Sequence, residues 1–262
     1  MFMRDLNKIN EALRRASDLK GKEEFKTLMK YYAKIFIHMY GKVEPECEMF
    51  VFRRALLLSI DKENGCEELV EIYAKLWEGF LNRLDLTINY HTLKMPEMMA
   101  TKPGTTLRDA VLEDFENQIE SSLRTPVLKI CCIDISEWID KITEDAFRAI
   151  LSRLRQYMHN NLMVFRIPAV DENTLKNIKE AIGWYINVDE VYSQPDSQEN
   201  YLDYGLKCLE EKDIELDEGA QVIFRELIDQ ARKRPDFWGF KTIDRLVNDI
   251  VIRALWPNGI MG

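Results

Sequence analysis

The chain has 262 residues, 46% of them hydrophobic, 10% aromatic and 31% charged, which is enough for one large domain or a domain with a smaller satellite and excludes disordered, collagen-like and staple-dependent chains. Thirty-six Lys and Arg against forty-five Asp and Glu give a net charge of −9, which opposes a nucleic-acid polyanion, so no nucleic-acid partner is expected. The longest apolar runs are about six residues against the ~20 that a membrane span needs, and the charged opening MFMRDLNKIN lacks the apolar stretch of a signal peptide; a cytoplasmic protein without a membrane partner is expected.

Along the chain, Phe25, Leu28, Met29, Tyr32, Ile35, Phe36 and Met39 recur at helical spacing. The apolar run Ala55–Ile60 reads as a strand, and Leu69, Tyr73, Leu76, Trp77 and Phe80 as the buried stripe of the helix after it. A weaker strand is expected in Leu86–Leu93 and a helix over Leu107–Leu123. Val127–Ile133 is the next strand, followed by a helix at Thr143–Met158 that carries Phe147, Ile150, Leu151 and Leu154. Then come the strand Leu162–Ile167, a helix at Thr174–Trp184 and a weaker strand in Asn187–Ser193. Short, nearly continuous apolar runs alternating with helices predict a mostly parallel sheet of about five strands, covered on both faces.

After the turn-rich Gln194–Ser197 only helices follow, at Tyr201–Glu211, Asp217–Lys233 and Thr242–Leu255. Asp217 is placed to cap the second. Its stripe is Ala220, Ile223, Phe224, Leu227, Ile228 and Ala231; that of the third is Ile243, Leu246, Val247, Ile250 and Val251. Residues 1–195 thus read as an α/β domain and 196–262 as a small helical lid domain. Asp171–Glu218 holds 14 acids and 4 bases and so carries the whole charge imbalance. Arg232, Lys233 and Arg234 form a basic cluster that suits a helix C-terminus. Five cysteines, Cys47, Cys66, Cys131, Cys132 and Cys208, include no Cys-x-x-Cys pair and read as reduced, buried thiols, Cys131 and Cys132 on opposite faces of their strand.

An α/β layer with an amphipathic helix leading into its first strand, followed by a three-helix lid, resembles the AAA+ ATPases, and in particular the CbxX/SpoVK-like branch. The phrases that carry the resemblance are Y-S-Q-P-D-S (192–197), I-E-L-D-E-G-A (214–220), R-K-R-P-D-F (232–237) and G-F-K-T-I-D-R-L-V (239–247). The resemblance implies a P-loop NTPase-like fold in which the first strand runs into G-x-x-x-x-G-K-[ST], a loop that cradles phosphates and Mg²⁺. Here that place reads I-D-K-E-N-G-C-E. Gly65 falls on the second glycine, but Ile60 replaces the first, Cys66 the lysine and Glu67 the hydroxyl residue. Asp61, Glu63 and Glu68 face Lys62 alone, and a like-charge contact near 4 Å costs about 4 kcal/mol at a surface-like dielectric. Cys66 at a helix N-terminus also admits a reactive-thiol reading, against that of a plain loop cysteine.

The other positions that the resemblance implies are altered too. Asp134 stands at the family's metal position, with Ile135 in place of the water-activating carboxylate and Glu137 two residues, roughly 7 Å, farther along. Pro168–Ala169 replaces a polar sensor. Gly183–Val188, where an arginine finger belongs, contains no arginine. Lys241 replaces the lid's sensor arginine, which removes the bidentate fork. Met98 and Met99 stand where the pore loop usually has an aromatic. Gly65, Cys66, Glu67, Asp134 and Lys241 are therefore degenerate nucleotide-site positions, and no catalytic residue and no metal is assigned. The expectation is an AAA+-like protein that does not hydrolyse ATP and serves as an interaction, scaffold or regulatory subunit without cofactor, its partner a protein, either an intact AAA+ subunit or a second copy. The alternative is an ATP-dependent remodelling ATPase with an atypical nucleotide site, for which ATP and Mg²⁺ would be the cofactors.

Overall fold

The computed structural model describes residues 5–19, 21–38, 55–61, 64–82, 85–95, 106–125, 127–193, 197–232 and 239–255. The chain forms two compact units, one of Met1–Asp61 with Cys66–Ser193 and one of Lys62–Gly65 with Gln194–Gly262.

The larger unit begins with α1 (Leu6–Asp18), whose second and third amides, of Asn7 and Lys8, are held by the Asp5 carboxylate. It continues with α2 (Glu23–His38), β1 (Ala55–Ser59), α3 (Cys66–Leu81) and β2 (Ile88–Thr92). Then follow α4 (Leu107–Phe115), β3 (Lys129–Asp134), a 3₁₀ segment (Ser136–Lys141), α5 (Asp145–Tyr157), β4 (Asn161–Ile167), α6 (Glu172–Gly183) and β5 (Val188–Tyr192). The five strands form one parallel sheet in the order β2-β3-β4-β1-β5. Every residue of β1 and β4 is buried, as continuous apolar runs covered on both faces require. Leu56, Leu58, Cys132 and Val164 point to a core shared with α1, α2 and α3. Ala55, Leu57, Cys131 and Phe165 point to one shared with α4, α5 and α6.

On the first face Phe36 stacks on Phe80 at 3.9 Å between centroids and meets the edge of Trp77 at 5.0 Å. The helix α1 crosses α3 at Gly79, where a Cβ would stand 2.7 Å from Ile9 and 2.9 Å from the Asp5 carbonyl oxygen, so only glycine permits the approach. On the second face α4 passes into a π turn, Glu116–Glu120, and a last helical turn, Ser121–Leu123. The single helix expected over this stretch is thus interrupted.

The smaller unit packs α7 (Gln198–Glu210), α8 (Glu218–Arg232) and α9 (Phe240–Leu255) around Tyr201, Leu209, Phe224, Ile228, Ile243 and Val247. Asp217 caps α8 through the Ala220 amide. At Gly239 the backbone is left-handed, and a Cβ would sit 1.9 Å from Asn64 Oδ1. The stripe expected on α8 is only partly buried: Phe224, Ile228 and Ala231 face the core, whereas Ile223 and Leu227 do not. The architecture is that of an α/β P-loop NTPase-like sheet flanked by helices with a helical unit after it. No helix among the described residues is long and apolar enough to cross a membrane.

Candidate functional site

The carboxyl ends of β1, β3 and β4 lie side by side, the place where open parallel sheets bind ligands. Hydrogen bonds stitch the loops that leave them. Asp61 accepts from the Ala169 amide at 3.1 Å, while Ser59 Oγ donates to the Pro168 carbonyl and accepts from the Val170 amide. Gly65 has φ of +87°, a left-handed turn that suits glycine and delivers the chain into α3. Cys66, the first residue of α3, is buried, whereas Glu67 and Glu68 are exposed on its first turn.

Asp134 closes β3, and its register partner on β4 is Arg166. Arg166 is a charge that follows the apolar run Leu162–Phe165 of β4, and it is satisfied on three sides. Its Nε donates to the Ile60 carbonyl at 3.0 Å, and one terminal nitrogen donates to Asp134 Oδ2 at 2.8 Å and to Ser136 Oγ at 3.0 Å. The other Asp134 oxygen accepts from the Ser136 amide at 3.0 Å and from its hydroxyl. The ion pair is largely withdrawn from water, with side chains 11% and 18% exposed. Both Asp134 carboxylate oxygens are therefore engaged, and a fixed guanidinium lies at the mouth of β1.

The neighbouring positions are occupied in the same way. Ile135 is fully buried in the second core. Glu137 is exposed and accepts from the Met95 amide at 2.7 Å, and Trp184, in the stretch Gly183–Val188, is 84% exposed. Lys241 lies in the first turn of α9; its side chain falls outside the described residues, as do Lys62, Glu63, Met98, Met99, Lys233, Arg234 and Cys47. Among the described residues no cluster of His, Cys, Asp or Glu could hold a metal ion.

The thiols differ sharply. Cys66 is held below the usual thiol range, mainly by the Cys132 side chain and then by Arg166, against the opposing effects of burial, Asp134 and Glu67. Cys132 is pushed up by the Cys66 side chain and by burial. Cys131, on the opposite face, is pushed up to about 12 by burial.

Arg166 is the functional residue that inspection of the sequence misses. Its signal is the charge within LMVFRI, because a charge in a fully covered strand demands a partner. Only the register of β3 against β4 shows that the partner is Asp134.

No family model matches the chain, and no curated protein does. Solved structures similar to it include domain III of the Thermotoga maritima replication initiation protein DnaA, 12% identical over 95% of this chain and 90% of that one, with a TM-score of 0.44. The Aeropyrum pernix ORC1 protein in complex with DNA is 15% identical over 80% and 60%, with a TM-score of 0.41. C. elegans PCH-2 is 14% identical over 90% and 63%, with a TM-score of 0.38. At these values the likeness says nothing of activity. The presence of a DNA complex among them corrects one expectation, the exclusion of nucleic acid on net charge. A total of −9 averages over the surface, whereas phosphate contacts depend on local patches.

Proposed function

We propose that this chain is a degenerate AAA+-like protein, akin to the CbxX/SpoVK-like branch, that does not hydrolyse ATP and works as an interaction, scaffold or regulatory subunit. One observation carries the reading. The Arg166–Asp134 ion pair, bonded also to the Ile60 carbonyl, holds the carboxylate that would otherwise hold Mg²⁺. The residues around it do not suit a nucleotide either: a buried thiol replaces the lysine, and Glu67 and Glu68 oppose phosphate at the start of α3. No hydrolytic step is assigned to any residue. Exposed Val222 and Ile223 on α8, 58% and 60% accessible, with Leu227 beside them, support an interaction role for the smaller unit. Free thiols at Cys66, Cys131, Cys132 and Cys208 agree with a cytoplasmic setting.

The test is a titration of the purified chain with Mg-ATP, followed by calorimetry, melting temperature and phosphate release. The expected result is no heat, no Tm shift and no turnover, whereas a ligand at 100 times its Kd would add about 2.7 kcal/mol. Cys66→Lys with Glu67→Thr is expected to gain measurable nucleotide affinity and still no turnover, because Ile135 and the arginine-free stretch Gly183–Val188 remain. Turnover by the parent chain would sink the reading.

A further inference from the structure

The second face of the larger unit carries a groove of about 840 Å³ between α6 and the 3₁₀ segment with the start of α5, a size within the usual range of ligand sites. One wall is a single stripe of α6, in which Thr174, Asn177, Ala181 and Trp184 recur every three or four residues. Ile139 and Ile142 line the other wall, packed on the second core. The groove contains none of Gly65, Cys66, Glu67, Asp134 and Lys241. Its chemistry calls for a cation. Trp184 closes α6 and is 84% exposed, an aromatic face of the kind that protein interfaces use. Asp140 and Glu180 line the same groove and are exposed, and among the described residues neither has a hydrogen bond or an ion pair. Glu180 stands four residues before Trp184, on the same side of the helix. The last turn of α6 carries no basic residue, so the negative end of its dipole has no compensating charge on its own helix. Arg148, the cation that lines the groove, is already paired with Asp145 at 3.5 Å on its own helix.

A guanidinium meets these groups better than an ammonium does, because it is flat, weakly hydrated and able both to stack on an indole and to fork onto carboxylates. An arginine side chain fills only part of the groove, and Ile139, Ile142 and Ala181 are left for apolar residues on either side of it, which a free small cation would not supply. We propose that this groove receives an arginine from a segment of a partner protein, its guanidinium stacked on Trp184 and paired with Asp140 and Glu180. The proposal rests on the interaction role and gives that role a partner chemistry, but it uses nothing at the nucleotide-site positions.

The full chain is titrated by calorimetry, at low and high salt and without nucleotide, with the blocked peptide Gly-Leu-Arg-Leu-Gly and with its glutamine counterpart. The arginine peptide is expected to bind about tenfold more tightly than the glutamine one, and less tightly as salt rises. Trp184→Ala is expected to weaken it about tenfold, and Asp140→Asn with Glu180→Gln by about as much while flattening the salt dependence. Glu210→Gln with Glu215→Gln, exposed acids of the smaller unit, is expected to leave binding unchanged. All of these side chains are on the surface, so an unaltered Tm verifies that each variant is folded. No heat from the arginine peptide would overturn the proposal, as would equal binding of the glutamine peptide or an equal loss in the Glu210 and Glu215 variant, which would reduce the effect to the general field of the chain. Arginine amide that binds as tightly as the peptide would make the occupant a small cation instead. A doubled mass in light scattering that Trp184→Ala reverses would make it a second copy, and either result would overturn the assignment. Because nucleotide is absent throughout, ATP turnover in the earlier titration would leave this result standing, and failure here would leave that one untouched.

Discussion

The larger unit holds a paired carboxylate at each end of its sheet, Glu120 fully buried and Asp134 partly so, and the two are served differently. Near the amino ends of β3 and β4, Glu120 is fully buried and accepts from Tyr157, from Arg124 at 3.1 Å and from Arg153 at 3.4 Å. Those guanidiniums are in water, with side chains 63% and 37% exposed. At the carboxyl ends, Asp134 is paired with an Arg166 that is itself buried and has no such retreat. At the end of the fold that usually receives ligands, the cation is thus withdrawn from water, whereas at the other end it is the cations that stay solvated. Deletion of one partner exposes the difference, because an abandoned buried charge costs far more than an abandoned solvated one.

The largest effect is expected from Arg166→Ala, which leaves Asp134 without its cation and should lower stability by about 3–5 kcal/mol in urea melts. Replacing both, Arg166→Leu with Asp134→Leu, should recover most of that loss, since apolar isosteres of a buried pair are often neutral. Equal losses in the single and double variants would break the comparison. Glu120→Ala ranks next, at about 1–3 kcal/mol, because Tyr157 loses its acceptor while Arg124 turns to solvent and Arg153 keeps Glu116. A loss as large as that of Arg166→Ala would mean that the two ends are equivalent.

The smallest effect belongs to the Glu120 side and depends on pH. His91 meets Ser122 Oγ at 3.1 Å, and burial, with Lys129 nearby, holds its pKa below the ordinary histidine value of 6.5. The unfolded chain therefore binds the proton more readily, so the stabilisation is complete above pH 6.5 and is lost as pH falls through the lower folded value. Tm measured from pH 7.5 to 5 should decline less in His91→Gln than in the parent; the same decline in both would assign it elsewhere.

Much of this was legible in advance, for reasons visible in particular residues. Ala55–Ile60 and Leu162–Ile167 announce themselves because strands covered on both faces must be apolar throughout, and the half-exposed β2 still fell within the weaker Leu86–Leu93. The helix α1 escaped because its buried stripe is Ile9, Ala12 and Ala16, and alanine at a crossing resembles alanine on a surface. On α8, Ile223 and Leu227 looked like core because periodicity marks a face but not how wide its cover is. The letters on which the proposed loss of a nucleotide site rests, Cys66, Glu67 and Ile135, can be read directly from the sequence. The Arg166–Asp134 pair is not, because it joins residues 32 apart whose meeting depends on the register of two strands.

The π turn at Glu116–Glu120 settles a matter of phase. Val111, Phe115, Ile119 and Leu123 are each 1% exposed and recur every fourth residue. In a regular helix of 3.6 residues per turn such a series drifts by about 40° at each step, so three steps would rotate Leu123 by about 120°, off the core. One slow turn absorbs the drift and keeps all four on one line. Glu120, next to the wide turn, is carried inward with them. On this account the buried acid and its retinue of Arg124, Arg153 and Tyr157 are the by-product of a sequence written with a four-residue beat on a helix that keeps a shorter one, and rewinding the wide turn to the regular pitch without changing its length would swing Ile119 and Leu123 toward water while releasing Glu120.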